Sequence, residues 1–176
     1  MDQIIKKAEK YDLSGDDIMR MCKNKVKIIS YEDMENYKIL DDIFDNNNAT
    51  IILYETKKNF GHWTLLLKTS SNVLEFFDPY GLKPDEELKM DNNYNTRLHN
   101  GVSVPHLTYL LNDSSYKLNY NKKRLQQFLK DINTCGRWCV SRVLMRHLDL
   151  STYQKLFTNN VNHTPDFWVT SYTLLL

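Results

Sequence analysis

Apolar and polar positions along the chain change their period several times, and each change marks an element. Between Ser14 and Cys22, the apolar residues Ile18, Met19 and Cys22 recur at helical spacing. They follow a Ser-Gly-Asp-Asp start in which Ser14 offers a cap and Asp17 an acidic partner three residues on. Ser30 and Asp33 repeat that start ahead of Met34, Tyr37, Ile39, Leu40 and Ile43, so residues 1–45 read as a helical N-terminal part. After the break at Asn46 to Asn48, ATIILYE (49–55) is a continuous apolar run of buried-strand length. HWTLLLK and VLEFFD then flank the polar turn Ser70-Ser71-Asn72 and read as a hairpin. Pro79, Gly81 and Pro84 push the chain out of the sheet. Residues 85–100 read as partly helical, 107–111 as helix or strand, and 115–120 as a strand by alternation. The broadest apolar stripe, from Gly136 to Leu148, predicts a helix, and Ser151 caps a shorter one through Phe157. From Asn159 onward no period stands out. The pattern describes one α+β domain over residues 1–176, with a central, mostly antiparallel sheet flanked by helices and a core at 49–148.

Composition narrows the picture modestly. The chain has 176 residues, 41% apolar and 26% charged, which suits one folded domain with a real core. A formal charge of +1 implies no strong pull toward nucleic acid or a membrane surface, and the basic clusters at Lys6-Lys7 and Lys122-Lys123-Arg124 read as solvated faces. Three cysteines make no disulfide framework and fit a reducing compartment. The N-terminus lacks the apolar run of a signal peptide, and no stretch has the length of a membrane span. There is no glycine-rich phosphate loop, and the Cys135/Cys139 spacing alone is too little for a metal site. The expectation is chemistry without metal or cofactor.

Two places concentrate candidate chemistry. If the hairpin turn centres near Ser70, His62 faces Asp78 across the strands, with Cβ atoms about 5 Å apart. A carboxylate beside an imidazole fixes its tautomer and raises its basicity, as a general base requires. The second place is NTCGRWC (133–139), where Cys135 opens the predicted helix. Backbone N–H groups and the positive helix end there favour a thiolate and can receive an oxyanion. Gly136 would let a substrate backbone approach closely. Cys139 and Cys22 read as small buried hydrophobes. His99, His106, His147 and His163 have no carboxylate at convincing spacing. Trp63 reads equally as a core anchor or as the wall of a substrate groove.

GHW, FFDPYG and NTCGRWC, in that order, resemble the adenovirus-type and Ulp-type cysteine proteases, and above all the maturation proteases of virophages and large DNA viruses. In that fold the histidine precedes the cysteine, the reverse of papain's order. The resemblance implies a general base at His62, an orienting acid at Asp78 and a nucleophile at Cys135. It also implies a glutamine donor to the oxyanion hole. Gln126 and Gln127 both stand slightly farther before Cys135 than the family pattern has it, with Gln126 favoured and Asn133 a weaker substitute. Trp63, Gly136 and Trp138 would line a narrow cleft for substrates cut after glycine. The implied role is a late viral protein that processes capsid or core precursors in the virion and in the host cytoplasm's virus factory. An activating peptide or DNA is left open. The alternatives are a deconjugating protease for a ubiquitin-like modifier and a structural virion protein that keeps the fold without the chemistry. Acetyl transfer finds no support, since nothing suggests an acyl-CoA or inositol-phosphate site.

Overall fold

The run from Trp63 to Leu67 becomes the middle of a central strand, and no residue in it is more than 6% exposed. A strand covered on both faces has no reason to alternate, which explains why this stretch reads as continuously apolar. The computed structural model describes residues 1–57, 60–90 and 104–176. Its strands are β1 (Lys27–Ser30), β2 (Ala49–Lys57), β3 (Phe60–Ser70), β4 (Val73–Phe77) and β5 (Lys117–Tyr120), side by side in chain order.

The inner pairs β2–β3 and β3–β4 are antiparallel, whereas the outer pairs β1–β2 and β4–β5 are parallel. The sheet is therefore mixed rather than mostly antiparallel. Only two residues of chain separate the members of each inner pair, but long stretches (31–48 and 78–116) lie between the members of each outer pair, and such a length permits parallel entry. β1 falls inside the stretch read as helical. Its four residues are too few to declare a period.

The helices are α1 (Asp2–Ala8), α2 (Gly15–Met21), α3 (His106–Asn112), α4 (Cys135–Leu144), α5 (Leu150–Thr158) and α6 (Pro165–Thr173). Ser14 and Asp17 form the expected capping box of α2, but the Ser30/Asp33 repeat yields only a 3-10 turn at Tyr31–Asn36. A second 3-10 turn spans Leu40–Ile43 and a third Glu86–Met90. The rest of the stretch read as partly helical, residues 91–100 with His99, lies outside the described residues. Asp149, not Ser151, caps α5 by accepting from the Thr152 N–H. α6 opens with Thr164 as cap and Pro165 in its first turn, a start signal that the sequence reading passed over.

One sheet face is covered by α2 and by α4 to α6, where Leu13, Ile18, Trp63, Leu65, Phe77, Trp138 and Val140 share a core. The other face packs against the 3-10 turns and α3 through Met34, Ile43, Leu66, Phe76 and Leu107. α4 lies across β3. Its far end is fastened by Arg142, whose Nε and Nη2 donate to the two Glu75 carboxylate oxygens at 2.6 and 2.9 Å. The same guanidinium donates to the Met145 and Leu148 carbonyls, so the helix C-terminus is satisfied as well as anchored.

Candidate active site

β3 and β4 pair Leu65 with Phe77 rather than with Glu75, a register two residues away from the one a turn at Ser70 would set. An even shift keeps every side chain on its face. Continued, it carries Tyr80 to His62, and the Tyr80 ring does stack on the imidazole at 4.5 Å between centroids. Asp78 reaches His62 from just beyond the end of β4, with Oδ1 2.9 Å from Nε2.

The Asp78 backbone is held by Asn121, which follows β5. Asn121 Oδ1 accepts from the Asp78 N–H at 2.9 Å, and its Nδ2 donates to the Asp78 carbonyl, so an amide side chain continues the β4–β5 ladder where the strands end. Asp78 Oδ1 also accepts from the Tyr80 N–H, and the Gly81 N–H donates to the Asp78 carbonyl across a tight turn. Gly81 has φ +77°, and a Cβ there would lie 3.0 Å from the Lys123 backbone, so only glycine fits comfortably.

A carboxylate only accepts, so Nε2 carries the hydrogen in this pair and Nδ1 is left with a lone pair in the neutral ring. The Cys135 side chain stands close enough to that ring to favour its charged form. Burial works against the imidazolium, but the Asp78 carboxylate and the Cys135 thiol outweigh it and hold His62 well above the usual histidine range. His62, Asp78 and Cys135 are thus brought together, each no more than 6% exposed.

Cys135 is the first residue of α4, and the cap residue Thr134 makes no side-chain hydrogen bond to the helix. Its hydroxyl donates instead to Asp166 Oδ1. The first-turn N–H groups are therefore not consumed by a side-chain cap, which suits them to an oxyanion. Asp166, at the start of α6, also accepts from Trp138 Nε1 at 2.9 Å and, through Oδ2, from the Gln127 N–H at 2.8 Å. One buried carboxylate ties the helix start to the loop before it. Burial pushes that carboxyl up from the ordinary range.

The remaining candidates divide. Gln126 is buried and its Nε2 donates to Tyr80 Oη at 3.2 Å and to the Ile132 carbonyl at 3.1 Å, while Oε1 has no partner. It stands on the Tyr that stacks against His62, in an irregular segment rather than a strand, since β5 ends at Tyr120. The fold uses the Gln127 backbone. Asn133 turns away, with Nδ2 donating to the Lys10 carbonyl and to Asp12. Trp138 is wholly buried and walls no groove; it holds Asp166. Gly136 also faces the core, for a Cβ there would meet Leu13 at 3.0 Å and Trp63 at 3.3 Å. Trp63 is anchored in the core and also borders a groove. Its Nε1 donates to the Leu13 carbonyl, and its ring walls a groove of about 410 Å³ with Gly15, Ile28, Leu53 and Glu55. Cys22 and Cys139 are buried, and burial pushes the first thiol up to about 12 and the second well above its usual range.

Asn121, Tyr80, Asp166 and Glu87 escaped the sequence reading. The cue for Asp166 was the Thr-Pro-Asp start of α6, and for Asn121 a polar residue directly after an alternating strand. Glu87 brings a ligand atom within 4.8 Å of those of His62 and Asp78.

The molecule is an α+β protein whose central hairpin brings a buried His62–Asp78 pair to the helix start that carries Cys135. No protein-family model matches the chain. It is 39% identical over 173 residues to the uncharacterized protein V9 of Sputnik virophage, a match that covers 97% of this chain and 98% of that protein. The chain belongs to the same family as that virophage protein. Among the described residues no helix is long and apolar enough to cross a membrane.

Proposed function

We propose that this protein is a cysteine endopeptidase of the adenovirus-type and Ulp-type fold that processes viral capsid or core precursors, cutting after glycine. The observation that carries the reading is the buried His62–Asp78 pair at 2.9 Å with Cys135 acting on the same imidazole from the start of α4. His62 Nδ1 takes the Cys135 proton as Sγ attacks the scissile carbonyl carbon. The oxyanion that forms is received by first-turn N–H groups of α4, joined by the Gln126 amide once it releases Tyr80 or Ile132. As the C–N bond breaks, the imidazolium gives its proton to the leaving amine and a thioester remains. Water then attacks the thioester, its proton passing to the imidazole and on to the departing sulfur. Asp78 keeps the ring in one tautomer throughout. The virophage relative supports a viral setting.

The test is mass-spectrometric mapping of new termini after purified chain is incubated with structural proteins of its own virus. Wild type should generate ends that follow glycine, and Cys135→Ala should generate none. Identical cleavage by both proteins would sink the reading.

A further inference from the structure

Asp78 Oδ2 and Glu87 Oε2 are both buried and both lack a hydrogen-bond partner. Asp78 is only 1% exposed, so no surface solvent serves it. Buried carboxylate oxygens ordinarily accept from an N–H or meet a cation. Asp78, from the segment after β4, and Glu87, from the Glu86–Met90 turn, each bring a carboxylate to one imidazole. Ligand atoms of His62, Asp78 and Glu87 all lie within 4.8 Å of one another.

We infer that His62, Asp78 and Glu87 form a binding site for a divalent transition cation, zinc above all. One imidazole nitrogen and two carboxylates are a set that Zn²⁺ takes at about 2.0–2.2 Å, with water in a fourth position. Mg²⁺ and Ca²⁺ prefer six or more oxygens, so the nitrogen argues against them. The 2.9 Å between Nε2 and Asp78 Oδ1 already approaches the spacing of two ligands on one ion. On binding, the Nε2–H bond breaks, nitrogen–zinc and oxygen–zinc bonds form, and the proton leaves to solvent. The imidazole then faces the cation instead of Asp78. Occupancy of this site switches off the proposed peptidase reversibly. Only that consequence rests on the proteolytic reading; the binding does not.

The experiment adds Zn²⁺, and separately Co²⁺, to chelator-stripped full-length protein. Zinc affinity is read by competition with a chromophoric chelator, and cobalt geometry by its visible absorption. One equivalent should bind to wild type, at least about tenfold more weakly to Glu87→Gln. Cys135→Ser should bind as wild type does, and the cobalt spectrum should lack a thiolate charge-transfer band. If Glu87→Gln fails to fold, Glu87→Asp replaces it and should weaken binding in the same direction. Binding lost in Cys135→Ser but unchanged in the Glu87 variants would overturn the site, because the cation would then sit on the thiol side of the ring. Absence of binding at micromolar zinc overturns it equally. If metal-free wild type cleaves no peptide or precursor, the proteolytic reading falls, while the affinity and cobalt measurements still decide the site.

Discussion

His62 sits where two demands compete, because burial disfavours its charged form and Asp78 with Cys135 favours it more strongly. Cys135 is the one cysteine that stands against this imidazole. Burial holds Cys22 up at about 12 and Cys139 well above the thiol range. Iodoacetamide should consequently modify Cys135 first at neutral pH, and peptide mapping that found Cys22 or Cys139 modified faster would refute the assignment. Asp78→Asn should fold yet lose about 10⁴ in kcat, since the ring is left in the wrong tautomer while the nucleophile survives. Gln126→Ala should cost about 10²–10³ in kcat with little change in KM, and Gln127→Ala far less, because only Gln126 stands on the Tyr80 that stacks against His62. A larger loss at Gln127 would move the role there. The places of His62, Asp78 and Cys135 were legible in the sequence because each occupied a position with its own physical signature, a strand end or a helix start. Asn121 and Asp166 were not, because a buried amide or carboxylate shows its purpose only through partners that are distant in the chain.

Among the elements, α4 is held at both ends by ions. At its C-terminal end the bidentate Arg142–Glu75 pair is almost wholly buried, and removing one member strands the other charge. Arg142→Ala should therefore destabilise the protein by about 3–5 kcal/mol in chemical denaturation. At the other end Asp166 accepts from Thr134, Trp138 and Gln127. Asp166→Ala strands those buried donors and should cost on the order of 3 kcal/mol. It should also lower kcat more than it raises KM, with Asp166→Asn recovering part of both. A KM effect alone would point to the substrate groove instead. Long periodic elements such as the β3–β4 hairpin and α4 could be read from pattern. β1 could not, being four residues long, and α6 hid because Asp166, Thr170 and Thr173 interrupt its buried face with polar residues.

For the molecule as a whole, several buried groups push stability in one direction with pH. Asp166 and Glu9 are raised by burial, the second also by the charge of the first. His62 is raised by its partners, and Cys22 and Cys139 are raised by burial. Each holds its proton more tightly folded than unfolded, so stability falls as pH climbs through the gap between the two values. The carboxyls begin this loss near their ordinary range of about 4, the imidazole above about 6.5 and the thiols above about 8.5. Asp17 and Asp41, held low by Ser14 and by Lys68, oppose it only on the acid side. The melting temperature should peak in mildly acidic buffer and decline toward pH 9; a flat or rising profile between pH 6 and 9 would contradict this. Asp166 has one more consequence, in the order of manufacture. The ribosome delivers Gln127, Thr134 and Trp138 well before the carboxylate that all three address. A nascent chain that has emerged only as far as α5 holds Cys135 without its fastening. The start of α4 gains its buried carboxylate partner only when α6 arrives.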